Sequence, residues 1–163
     1  MAASRRPASR PFPASSGAAC FCRETELASP EEAERFFFKV CEQCIREGFR
    51  LNGTEPLFGL SSDNWQMSSM RSGAPAKTTA CIPVEARGKN DPRLRTFPAI
   101  HAFSGVAYGN YSFIGELFRR FRQEADARGI RPAGPIRFYG LTAPYTGNHL
   151  APEQYCYRMA APV

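Results

Sequence analysis

The sequence predicts an α+β domain made of two pseudo-symmetric strand–helix–strand–strand units. Two observations carry that prediction. Two apolar stripes at helical spacing lie 81 positions apart, as Ile114 is from Ala33. Each stripe ends at a glycine and is followed by short aromatic or apolar segments bounded by glycine and proline, the composition of strands.

Taken in order, residues 1–17 are rich in Arg, Ser, Pro and Ala, have no acidic residue, and read as an extended or disordered arm. A first strand is expected from Ala18 to Glu26. Ser29-Pro30-Glu31-Glu32 then supplies a capping serine, a proline at the first helical position and a glutamate three residues on. The helix it starts should end at Gly48. Its apolar stripe is Ala33, Phe36, Phe37, Val40 and Cys44. Strands are expected over Pro56–Leu60 and Thr78–Val84, completing a first half over 18–85. The polar, turn-rich residues 86–96, including Gly88, Lys89, Asn90, Asp91 and Pro92, mark the joint.

The second half, 97–163, repeats the order. A strand is expected over Ala99–Tyr108 and a helix from Asn110 to Gly129, with the stripe Ile114, Leu117, Phe118, Phe121 and Ala125. Strands should follow over Ile136–Leu141 and Gln154–Ala160. The repeat continues beyond the helices: Gly129 matches Gly48, Arg131 matches Arg50, Gly134 matches Gly53, and Tyr139-Gly140-Leu141 matches Phe58-Gly59-Leu60. After a two-residue difference in the next loop, Pro162-Val163 matches Pro83-Val84. Two such units joined through edge strands give one antiparallel sheet with both helices on one face. The other face forms a groove at the junction of the halves, suited to a small molecule.

Composition excludes several function classes. The apolar runs, such as Phe36-Phe37-Phe38, are far short of the roughly 20 residues of a membrane-spanning helix. Of the net charge of +6, Arg5, Arg6 and Arg10 of the arm contribute three units, leaving a weak basic bias with no stripe for direct nucleic-acid binding. Arg119, Arg120 and Arg122 are interspersed with Glu116, Glu124 and Asp126, the pattern of a solvated helix face.

Six cysteines raise the question of a metal, and Cys20, Cys22, Cys41 and Cys44 form two close pairs. The second pair falls within the first helix, not in a zinc-knuckle turn, so reduced thiols in a core are expected, with no metal. His101 and His149 have no companion at ligand or base spacing, and no cofactor is expected. No local nucleophile–base pair or carboxylate pair marks a catalytic residue.

Aromatic residues supply the binding candidates. Trp65, in a polar segment beside Asp63, is placed to contact a ligand as a lid. Tyr139, Tyr145, Tyr155 and Tyr157 cluster near the C-terminus, and Tyr139 and its repeat partner Phe58 should flank the pseudo-twofold axis. Strand alternation sets Tyr155 and Tyr157 on the face opposite Cys156 and Arg158, so only one of these sets lines the groove.

With the doubled unit, the segment Gly129-x4-Gly134-Pro135-x3-Tyr139 and the closing Pro162-Val163, residues 18–163 resemble the GyrI-like small-molecule-binding domains. These are also the effector-binding regions of some AraC- and MerR-type bacterial regulators, and the SOUL haem-binding group has a related architecture. The resemblance implies a cytoplasmic module that binds a hydrophobic, often cationic ligand between its halves, with a buried glutamate shortly before the final Pro-Val. Here Arg158 stands at that position and Thr79 at its counterpart. An arginine there calls for an anionic group, so an acidic or neutral aromatic ligand is expected. The candidate ligand-binding set is Phe58, Asp63, Trp65, Thr79, Tyr139, Tyr145 and Arg158. The resemblance leaves two other readings open: an inhibitor acting on a regulatory protein partner, as in gyrase inhibition, and a small hydrolase with Asp63 as its acid.

Overall fold

In a computed structural model, residues 19–53, 56–61, 75–85, 90–110, 113–142 and 150–163 are described. Ser29 begins helix α1 (Pro30–Arg46) as its spacing predicts, its hydroxyl accepting the Glu32 N–H at 3.3 Å. The Glu32 carboxylate reaches back to accept the Ala28 N–H at 2.8 Å, one residue before the cap. Helix α2 (Ile114–Ala127) has no side-chain cap at Phe113. Both helices stop alike. Gly48 and Gly129 take left-handed φ values of 78° and 67°, and the N–H groups of Phe49 and Ile130 donate to the carbonyls of Cys44 and Ala125. Glycine reaches this conformation without the Cβ clash other residues incur.

Among the described residues eight strands form the sheet: β1 (Ala19–Leu27), β2 (Arg50–Leu51), β3 (Phe58–Ser61), β4 (Ala76–Glu85), β5 (Leu94–Thr96), β6 (Ala102–Tyr108), β7 (Ile136–Gly140) and β8 (Cys156–Pro162). Their order is β5-β1-β4-β3-β7-β8-β6, with β2 added to β4, and every pairing is antiparallel. The halves meet where β3 pairs β7, and Phe58 lies directly opposite Tyr139. Since these two residues are repeat equivalents, the pseudo-twofold axis passes between them.

Both helices cover one face. The stripe residues Ala33, Phe37, Val40 and Cys44 of α1 and Ile114, Phe118, Phe121 and Ala125 of α2 are all buried. Beneath α1 lie Phe21, Ala80 and Ile82, and beneath α2 lie Ile136, Phe138, Tyr157 and Met159. Gly59 and Phe138 are cross-strand partners, which puts the two helix-bearing surfaces on the same side of the sheet. A Cβ at Gly59 would come within 2.8 Å of the Phe37 ring, so glycine here admits the close approach of α1.

Three features depart from the sequence reading. The joint assigned to 86–96 contains strand β5, which pairs with β1, and the two-residue β2 pairs with β4. Neither strand is long enough to show a period of its own. The strand expected from Ala99 begins only at Ala102, where pairing with Pro162 starts.

The third departure concerns the groove. β5 and β6 are opposite ends of a sheet six interstrand steps wide, about 29 Å if flat. The chain from Thr96 to Ala102 reaches at most about 20 Å. The sheet therefore curls around this segment, with its helix-free face concave. Phe97 packs on Phe58 with ring centroids 5.3 Å apart, and the Pro98 carbonyl accepts a bond from Arg137. The groove is thus crossed by a strap at its centre, because the partner of β1 must connect to the partner of β8.

Candidate functional site

Strand register arranges the concave face in rows. One row runs Cys22, Cys81, Phe58, Tyr139, Arg158 and Val106 across β1, β4, β3, β7, β8 and β6. The next runs Glu24, Thr79, Leu60, Arg137, Ala160 and Ser104. Phe58 and Tyr139 form an aromatic pair at the axis, their ring centroids 5.2 Å apart. Phe58 is buried, with Leu60, Phe97 and Tyr139 partly buried around it.

Of the residues singled out in the sequence, Phe58, Thr79, Tyr139 and Arg158 share this face. Asp63, Trp65 and Tyr145 lie outside the described residues. Tyr155 and Tyr157 are buried in the helix-side core, so the Arg158 set faces the concavity. Arg158 is half-buried. The sequence repeat equates it with Thr79, but the sheet places Arg158 opposite Tyr139 and Thr79 opposite Leu60. β8 is displaced by two residues relative to β4, which preserves the face while changing the neighbour.

Arg137 went unremarked in the sequence, although alternation from Tyr139 puts it on the same face. It is only 9% exposed. Its guanidinium donates to the Pro98 carbonyl at 2.9 Å and lies 5.8 Å from the Phe58 ring centroid and 5.9 Å from that of Phe97. Among the described residues it has no carboxylate partner, and the Pro98 carbonyl is the one hydrogen-bond acceptor they give its five N–H donors. Exposed Arg95 lies 5.3 Å from the other side of the aromatic group, at Phe97. Phe97 left no sequence signal, since its position follows from the strap's path.

Among the described residues, the acids on this face, Glu24 and Glu26, belong to the first half. Glu24 accepts from Lys77 Nζ at 2.8 Å and from the Thr79 hydroxyl at 3.2 Å. The Lys77 hydrogen bond holds its carboxyl below the usual range. Thr79, a predicted contact, is therefore engaged internally.

The cysteines divide between faces. Cys20 and Cys22 are on the concave side, whereas Cys41 and Cys44 pack under α1 on the other side of the sheet. The two close pairs do not converge on one four-thiolate centre. His101 is exposed, its carbonyl accepting the Val163 N–H at 3.0 Å.

No family model and no curated protein matches the sequence. Solved structures that share the fold include two of EcmrR. The crystal structure of the EcmrR C-terminal domain aligns with a TM-score of 0.71 at 15% identity, over 89% of this chain and 90% of that one. EcmrR in its cryo-EM complex with DNA aligns at 0.73 and 14% identity, over 89% of this chain. There the chain covers 53% of its neighbour, about half its length. At these identities the likeness is one of fold: the α+β architecture with an eight-stranded antiparallel sheet and two helices of a GyrI-like domain.

Proposed function

We propose that this chain is a small-molecule-binding module that senses or sequesters an aromatic ligand bearing negative charge on its concave sheet face. The observation that carries this reading is Arg137, buried at the junction of the halves beside Phe58 and Phe97 with no carboxylate partner among the described residues. Burying such a charge without compensation is costly, and a ligand carboxylate, sulfonate or phosphate would supply the compensation. The aromatic rings give the ligand's apolar part a surface.

Arg95 and Arg158 on the same face favour an anion over the cations expected of the resembling family. The shared fold with the EcmrR C-terminal domain supports a regulatory setting in which a partner polypeptide or fused domain reads the ligand state. Six cysteines, none of them in a disulfide, suit the reducing cytoplasm.

The test uses three probes with one ring system: naphthalene-sulfonate, naphthol and naphthyl-trimethylammonium. A ligand selective for the native state raises Tm, by roughly 5–10 °C at a hundredfold excess over Kd for a chain of this size. The sulfonate is expected to do so, and Arg137→Met to abolish the shift. Equal stabilisation by the cation, or a sulfonate shift insensitive to both Arg137→Met and Arg158→Ala, would overturn the proposal.

A further inference from the structure

The concave face also carries a pair of adjacent thiols. Cys22 and Cys81 are direct cross-strand partners on β1 and β4. The Cys22 N–H donates outward to the Arg93 carbonyl at 2.9 Å, away from β4. In an antiparallel ladder this makes Cys22–Cys81 a non-hydrogen-bonded pair, the type in which Cα atoms are about 4.5 Å apart and side chains come closest. That separation lies within the range a disulfide spans. The two sulfurs already share a hydrogen bond of 3.8 Å.

The same geometry excludes the other combinations of nearby cysteines. Cys20 and Cys22 are two apart on one strand, about 6.8 Å between Cα atoms, at the limit of disulfide geometry and along the strand axis. Cys20 and Cys81 are diagonal neighbours, roughly 7–8 Å apart. Cys41 and Cys44 are three apart on α1, where Cβ atoms stand about 5–6 Å apart against the roughly 3.5–4.5 Å a disulfide needs.

We propose that Cys22 and Cys81 form a peroxide-responsive dithiol that closes to an intramolecular disulfide in the floor of the concave face. Cys22 is the attacking sulfur, being the more exposed of the two. Hydrogen bonding from Cys81, assisted by the charge of Arg95, lowers its pKa, while burial raises that of Cys81. Burial likewise pushes Cys41 up to about 12, keeping that thiol protonated and unreactive.

In the reaction, the Cys22 thiolate takes an oxygen from hydrogen peroxide, breaking the O–O bond and releasing hydroxide, which gains a proton to leave as water. The Cys81 sulfur then displaces the sulfenic hydroxyl. The S–S bond forms, the S–O bond breaks, and the second water leaves with the Cys81 proton. Two thiols lose two electrons in total to one peroxide. The closed pair lies directly beside Phe58, Cys81's partner on β3, which links the oxidation state to the aromatic floor.

The experiment treats the full chain with hydrogen peroxide, counts thiols in denaturant and maps links by mass spectrometry after blocking free cysteines. The expected result is loss of two of the six thiols, a Cys22–Cys81 link, and full recovery with dithiothreitol. Cys20→Ser should behave as the parent. Cys22→Ser, or Cys22→Ala should the serine variant fail to fold, should lose none on the same timescale. No thiol loss in the folded parent, a link mapping to Cys41–Cys44, or Cys22 advancing to sulfinic acid without a link would each overturn the proposal.

Discussion

Arg137 is the residue on which charge and packing conflict most openly. Its guanidinium is buried against two aromatic rings with a single carbonyl acceptor among the described residues. Replacing a buried charge by an apolar side chain of similar length removes a desolvation penalty. Arg137→Met is therefore expected to leave the ligand-free protein as stable or more so, by about 1 kcal/mol in urea denaturation, while ligand stabilisation is lost. A purely structural arginine would give the opposite result, a large destabilisation. Gly59 shows the reverse dependence: with Phe37 seated where a Cβ would be, Gly59→Ala should cost about 1–3 kcal/mol by the same assay. Alternation along β7 makes Arg137 readable in principle, and Gly59 is marked in the sequence as the repeat partner of Gly140. The conflict at each position appears only once the opposing element is in place.

At the scale of elements, the helices were the most legible part. A capping serine, matched apolar stripes and a terminal glycine are local signals, and Ala33, Phe37, Val40 and Cys44 of α1 are buried as their partners Ile114, Phe118, Phe121 and Ala125 of α2 are under the 81-residue shift. The exposed side of α2 behaves as its charge pattern predicts. Glu116 pairs with Arg119 and with Arg120, the latter at 3.0 Å, and Arg122 lies 3.7 Å from Asp126. Arg119 first, then Arg120, depresses the Glu116 carboxyl to about 2. Because the folded value is below that of the unfolded chain, its contribution is present above the unfolded pKa of about 4.3 and is lost as pH falls through the folded value. Carbon-detected NMR should show this carboxyl titrating well below the usual glutamate range, while Glu116→Gln removes its small share of the acid-range dependence, with little effect on stability at neutral pH because the pairs are solvent-exposed. The strands were less legible. β2 and β5 exist because longer neighbours offer them free edges, and β8 sits two residues away from the register that the repeat alone suggests.

Across the whole molecule, two halves share one sheet and one core. Leu27, Ala33 and Ala76 of the first half belong to the same buried cluster as Phe118, Phe138 and Tyr157 of the second. The strap also packs Phe97 of the second half on Phe58 of the first, their ring centroids 5.3 Å apart. The halves should therefore unfold together, and residues 97–163 expressed alone should give the narrow amide dispersion of an unfolded chain in a proton–nitrogen NMR spectrum. A well-dispersed spectrum from that fragment would show the halves to be independent. The pseudo-twofold architecture was visible in the sequence because repetition is a long-range signal. The strap was not, because which edge β5 joins is decided by pairing that no local pattern encodes.

Binding of an anionic aromatic ligand on the concave face is tested by titrating the labelled protein with naphthalene-sulfonate and following it by NMR. Saturable shifts are expected at Phe58, Phe97, Arg137, Tyr139 and Arg158, with the helix-side Phe21, Phe118 and Tyr157 unmoved. Shifts confined to the helices or to the outer edge of β6, with those five residues silent, would contradict it.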